Sequence, residues 1–136
     1  MTQQVSLELE GVVVSGLGRG QHFMSQEGYL GQMSSILGFV PFYGTLNLKV
    51  KAEDAGKIDR IKRSRGILVK GFEANGKVFG DVILYKARLG GIECAVVMPK
   101  LSKYTDTIEV IAQDNLRDRL KLSDGSSVKV SVMLNA

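Results

Sequence analysis

Gly38-Phe39-Val40-Pro41-Phe42-Tyr43-Gly44-Thr45-Leu46-Asn47-Leu48-Lys49-Val50 is a turn marked by glycine and proline that runs into an amphipathic strand. Leu46, Leu48 and Val50 alternate with Thr45, Asn47 and Lys49, so period-2 geometry sends the apolar set to one face and the polar set to the other. The two neutral oxygen side chains of Thr45 and Asn47 therefore lie side by side. Residues two apart on a strand are about 6.6 Å apart at Cα, so a threonine hydroxyl and an asparagine carbonyl can converge on one hard cation. That makes a partial magnesium site. Taken alone, the pair reads equally as the solvent face of a half-buried strand.

Outward from this segment, the same alternation recurs. Val5, Leu7 and Leu9 alternate with Ser6, Glu8 and Glu10, and the run continues through Val12-Val13-Val14, predicting a first strand. It ends in Ser15-Gly16-Leu17-Gly18-Arg19-Gly20-Gln21, where three glycines two apart allow positive φ and can turn amide N–H groups onto an anion. The Lys-Ser/Thr pair of a P-loop is absent, and a flexible connection is the plainer reading. Ser25 is placed to cap a helix reaching Leu37, with Tyr29, Leu30, Met33, Ile36 and Leu37 at helical spacing and Gly38 ending it. Past Val50, a charged stretch accommodates a short helix bearing Ile58 and Ile61, with its basic end on a solvated face.

The second half reads as strands. Ile67 to Phe72, the Asn75-Gly76 turn, Val78 to Arg88, Gly90-Gly91 and Ile92 to Met98 predict a three-stranded meander. Thr107 to Ile111 is another strand, Asp114 is placed to cap a short helix through Leu120, and Ser123-Asp124-Gly125 turns into a last strand, Val128 to Leu134. The order helix, glycine turn, amphipathic strand occurs in both halves, as expected of two similar halves closing one barrel.

Bulk properties bound the answer. With 136 residues, no linker and no low-complexity stretch, the chain fits one domain spanning residues 1–136, able to bury roughly two thirds of its unfolded surface. Sixteen glycines, two prolines and 7% aromatic residues favour short strands and tight turns. Cys94, the single cysteine, sits in the apolar run Ile92 to Met98 and reads as a small buried hydrophobe, which fits a reducing cytoplasm. No stretch approaches the roughly 18 apolar residues of a membrane span, and the N-terminus lacks the build of a signal peptide, so a soluble cytoplasmic protein without a membrane partner is expected. A net charge of +4 and a pI near 9.3 favour anionic partners without separating a nucleotide from a nucleic acid.

Together, the segments Gly11-Val12-Val13-Val14-Ser15-Gly16-Leu17-Gly18-Arg19-Gly20, Leu37 to Leu48, and Ile108-Glu109-Val110-Ile111-Ala112 with Leu116-Arg117 resemble the archaeal CTP-dependent riboflavin kinases. The resemblance spans nearly the whole chain, with three motifs in order. It implies an all-β fold, a six-stranded cradle-loop barrel with two or three short helices, and phosphorylation of riboflavin to FMN with CTP as donor and CDP as product. By the same resemblance Gly16, Leu17, Gly18, Arg19, Gly20 and Gln21 wrap the nucleotide, and Asp114, Asn115, Leu116 and Arg117 complete its site. Thr45 and Asn47 bind magnesium and Glu109 contacts the flavin; on physical grounds, Arg19 is the candidate for neutralising phosphate charge and Glu109 for orienting the ribityl 5′-hydroxyl or accepting its proton. The family's flavin-contacting threonine falls on Ser102, a departure that keeps the hydroxyl, in a loop one residue shorter than the family pattern.

Phosphoryl transfer needs mainly positioning and charge neutralisation, which glycine-loop amides, an arginine and a magnesium ion can supply. Two other functions stay open at this stage: a nucleic-acid-binding barrel, disfavoured and weakly supported by net basicity, and a flavin carrier without activity. His22, the one histidine, has no evident partner, and the oligomeric state is open, a monomer included.

Overall fold

The computed structural model describes residues 4–15, 27–42, 44–100 and 106–135. Among the described residues, nine strands and three α-helices follow in order: β1 (Gln4–Val14), α1 (Glu27–Leu37), β2 (Leu46–Val50), α2 (Ala55–Lys62), β3 (Ile67–Val69), β4 (Phe72–Ala74), β5 (Lys77–Phe79), β6 (Val82–Leu89), β7 (Ile92–Pro99), β8 (Thr107–Ala112), α3 (Leu116–Arg119) and β9 (Ser127–Asn135). Six of the strands form a closed antiparallel ring. The hydrogen-bonded order β6-β7-β8-β2-β1-β9 returns from β9 to β6, where Ala87 faces Val132 and Leu89 faces Val130. Closure removes the free sheet edges of these strands. No helix among the described residues is long and apolar enough to cross a membrane.

The alternation in each strand fills the ring. Leu7, Leu9 and Val13 of β1, Leu46, Leu48 and Val50 of β2, Val96 and Met98 of β7, Ile108 and Val110 of β8 and Val130, Val132 and Leu134 of β9 meet in one buried cluster. Each such side chain contributes about 1.5–3 kcal/mol by leaving water. Gly11 pairs with both Val50 and Val128, and a Cβ there would stand 3.2 Å from the Leu48 Cβ and the Lys49 carbonyl oxygen. The bare backbone lets β1 pass closely over β2 where it changes partners.

Helices close both mouths. At the lower mouth, α2 inserts Ile58 and Ile61, both buried; an eight-residue helix is marginal by itself, and this docking holds it. Its entry is tied to β1, with the Glu10 amide donating to Asp54 at 2.8 Å and Lys57 donating to the Glu8 carbonyl at 2.8 Å. At the upper mouth, α3 inserts Leu116, while Leu120 packs over Gly90. The exposed basic residues Arg60, Lys62, Arg63 and Arg65 sit on the solvent side at the end of α2, as the charge pattern implied.

A second cluster lies outside the ring. Tyr29 and Met33 of α1 pack on Val82, Leu84, Ala95, Val97 and Ile111, the outward residues of β6, β7 and β8. Gly38, at φ +79°, ends α1 as expected, its amide bonding the Ser34 carbonyl at 2.9 Å. Ser25 lies outside the described residues.

Two elements differ from expectation. The long meander hairpin is broken, because β3 pairs with β6 while β4 and β5 form a separate ribbon around Asn75 and Gly76. The break is made by Gly71, whose amide donates to the Asp81 carboxylate at 2.7 Å and whose Cβ, were there one, would lie 2.1 Å from the Phe79 carbonyl oxygen. The ribbon then folds onto α1, where Tyr29, Phe72 and Phe79 form an aromatic cluster and the Tyr29 hydroxyl donates to the Gly80 carbonyl at 2.6 Å. The second difference concerns α3, which Asn115 caps in place of Asp114; its side-chain oxygen accepts from the amides of Arg117 and Asp118 at 3.0 and 3.4 Å. Asp114 lies one residue too early to reach them and instead pairs with Arg119.

Candidate active site

The register brings three of the sequence-selected residues, Thr45, Asn47 and Glu109, together on one side of the barrel. In β2, Asn47 stands between Val14 of β1 and Glu109 of β8, and Glu109 in turn faces Val97 of β7. Ile108 and Val110 point into the core, so Glu109 points outward with Asn47, on the face that carries α1 further along. Directly paired residues on one face have Cβ atoms about 4.5–5.5 Å apart. Thr45, just before β2, reaches the same carboxylate, its hydroxyl donating to Glu109 Oε1 at 3.2 Å. Thr45, Asn47 and Glu109 are all half-buried.

The approach to β2 is held down as well. The Phe42 amide donates to the Ala112 carbonyl at 2.7 Å, extending the β2–β8 pairing past Leu46, and Gly44 takes φ +139°. Pro41 is buried beside this contact while Val40 and Phe42 stay exposed. Positive φ at Gly44 lets the chain turn sharply enough to place Thr45 over β8.

Arg117 lies near the end of β1. Its guanidinium donates to the Val14 carbonyl at 3.2 Å and to Asp124 at 2.7 Å, and Asp124 also accepts from the Ser15 hydroxyl. Ser15 and then Arg117 hold the Asp124 carboxyl below its ordinary pKa. This bridge joins β1, α3 and the turn before β9 at the point where the chain leaves toward the glycine cluster. Asp124 and Ser15 escaped the sequence reading, although the Asp124-Gly125 turn was noted; a turn motif says nothing of what its side chain meets 109 residues away.

Among the selected residues, then, Thr45, Asn47 and Glu109 form one group, and Asp114, Asn115, Leu116 and Arg117 another at the upper mouth. Leu116 is a core residue, so only its backbone can face a ligand. Gly16, Leu17, Gly18, Arg19, Gly20, Gln21 and Ser102 lie outside the described residues. One neutral hydroxyl, one carboxamide and one carboxylate make an all-oxygen donor set, which suits a hard divalent cation. Among the described residues no three His, Cys, Asp or Glu side chains gather into a metal cluster.

Comparison with known proteins gives the family of the chain. The CTP-dep_RFKase family model, described as a domain of unknown function, DUF120, matches residues 13–132. A riboflavin kinase of Archaeoglobus fulgidus is 42% identical over 130 residues, covering 95% of this chain and 56% of that protein. One from Picrophilus torridus is 41% identical over 124 residues, covering 91% of this chain and 56% of its own length, and one from Ignicoccus hospitalis is 42% identical over 127 residues, covering 93% and 71%. The chain thus spans a little over half the length of the first two relatives. On the extent of these matches, which run from β1 through β9, the chain belongs to the CTP-dep_RFKase family.

Proposed function

We propose that the protein transfers the γ-phosphoryl group of CTP to the ribityl 5′-hydroxyl of riboflavin, giving FMN and CDP. The observation that carries the reading is the Glu109 carboxylate standing beside Thr45 and Asn47 in a chain whose relatives are named riboflavin kinases. Thr45 and Asn47 would hold a magnesium ion, which supplies charge neutralisation for the triphosphate. Glu109 aligns the attacking hydroxyl and accepts its proton as the new O–P bond forms and the bond from the γ-phosphorus to the β,γ-bridging oxygen breaks. Asp114, Asn115 and Arg117 border the nucleotide, with Gly16 to Gln21 wrapping its phosphates and Arg19 offsetting their charge. Ser102 contacts the flavin.

Substrate positioning supplies most of the rate here, because the transition state is loose and asks for little covalent help. The Arg117 bridge to Val14 and Asp124 serves that purpose by fixing where the glycine segment departs from β1.

Incubation with riboflavin, magnesium and each of the four nucleoside triphosphates, with FMN as readout, tests the reading. FMN formation with CTP well above that with ATP is expected. Equal turnover with all four removes the donor assignment, and no FMN with any removes the kinase.

A further inference from the structure

The lower end of the barrel, away from Arg117 and α3, holds a cavity of about 260 Å³ beside α2, lined among others by Lys62, Gly66, Ile83, Tyr85, Met98 and Lys100. Its walls belong to the inner face of the sheet. Tyr85 and Met98 are part of the core cluster, with Ile83 packed against it, whereas Glu109 stands across from Val97 on the outer face. The cavity and the Thr45–Asn47–Glu109 group are therefore on opposite sides of β7 and β8.

Tyr85 gives the cavity a polar handle. The residue is 4% exposed, and its hydroxyl makes no hydrogen bond among the described residues. No sealed side-chain oxygen or nitrogen among them lacks a partner, so this hydroxyl must open onto the remaining free space. Gly66 lets the chain pass directly against this wall: a Cβ there would come within 2.1 Å of the Ile83 methyl and 2.8 Å of the Tyr85 ring. Facing that space, the hydroxyl can donate to water or to an acceptor on a ligand that displaces it.

The electrostatics select the sign of the occupant. Lys62 and Lys100 line the opening, and Arg60, Arg63 and Arg65 lie exposed near the same end of α2, so the local field draws anions. Burial raises the Tyr85 hydroxyl above its ordinary 10.0, which keeps it protonated and donating at neutral pH. The volume equals that of roughly nine water molecules at about 30 Å³ each, below the range of drug-sized pockets. It suits a single substituted ring or a short branched chain.

We propose that this cavity binds a compact organic anion, its apolar body seated on Ile83 and Met98 and its phosphate or carboxylate held by the Tyr85 hydroxyl together with Lys62 and Lys100. The site shares no residue with the group around Glu109, and its Lys100 lies two positions before Ser102, the residue that the proposed function gives to the flavin.

The test titrates phenyl phosphate, benzoate and phenol into the full chain, followed by calorimetry and by methyl NMR shifts, with and without saturating CDP. At least one of the two anions is expected to bind, with shifts centred on Ile83 and Met98, undiminished by CDP. Tyr85→Phe, which keeps the ring, should weaken that binding about tenfold, and the exposed change Lys100→Gln should weaken it severalfold. Absence of binding by both anions at about 10 mM, phenol binding as tightly as the anions, or displacement of the probe by CDP overturns the proposal. So does unchanged affinity in a folded Tyr85→Phe chain; if that variant does not fold, unchanged affinity in Lys100→Gln decides against it.

Discussion

Glu109 has an ordinary place in an alternating strand, yet its carboxylate accepts from Thr45 and stands beside Asn47, which lies one strand over. The two neutral oxygens of Thr45 and Asn47 can hold a divalent ion only weakly before a triphosphate adds its own charge, because magnesium gives up water reluctantly. Metal and nucleotide should therefore bind cooperatively and reciprocally. In Asn47→Ala, the gain in CDP affinity produced by magnesium should shrink, with metal-free CDP affinity changed less than threefold; titration calorimetry, with magnesium binding to CDP alone subtracted, measures both. Glu109→Gln keeps an acceptor for the Thr45 hydroxyl while removing the charge. FMN formation should fall about 100-fold or more with metal-free CDP affinity nearly unaltered, and collapse of nucleotide binding would place Glu109 in the other pocket.

At the level of elements, the attachments of α2 and of the β4–β5 ribbon are the informative ones. Asp54 fastens α2 to β1 by accepting from the Glu10 amide and from Lys57 at 2.8 Å. Lys57, then the Glu10 amide, hold its carboxyl below the ordinary 3.8, so folding favours the ionised form. Its contribution is complete above the unfolded value and fades as pH falls through the lower folded value. The difference in melting temperature between the parent and Asp54→Asn should accordingly be constant near neutrality and shrink below about pH 4; a difference that grows in acid would reverse the assignment. In the ribbon, Gly71→Ala would drive a methyl into the Phe79 carbonyl and the Gly80 backbone, neither of which is a flexible side-chain end. Urea unfolding should show a loss of about 1–3 kcal/mol, whereas Gly76→Ala, at an open turn with φ +75°, acts through backbone strain alone.

For the whole molecule, closure of the ring makes the core accessible only by opening it. Cys94 is 3% exposed, and burial pushes its thiol up to about 12. The thiol is therefore both enclosed and disfavoured as the reactive thiolate. A disulfide reagent should label the native protein only as fast as the barrel opens, so labelling and unfolding rates should converge at high reagent concentration. Fast labelling under native conditions would mean that β7 is exposed without global unfolding.

The alternation of apolar and polar residues was enough to place β1, β2, β8 and β9, because strand geometry depends on neighbours two residues away, whereas β7 is an apolar run buried on both faces and only the tertiary structure shows which of its residues face the core. Gly38, Gly76 and Gly125 were legible for the same reason: positive φ is a local requirement. The pairing of Thr45 with Glu109, the bridge from Arg117 to Asp124, and the kink at Gly71 were not, since each joins residues whose proximity follows from register and ring closure. Capping shows the boundary between the two. Asp114 and Asn115 are equivalent candidates by residue type, and only where β8 ends and α3 begins decides that Asn115 reaches the free amides. Sequence by itself determined β1, β2, β8 and β9, the presence of β7 and the oxygen pair Thr45 and Asn47. Tertiary structure alone decided that a carboxylate joins that pair, because side chains 64 residues apart meet only once β2 and β8 are in register.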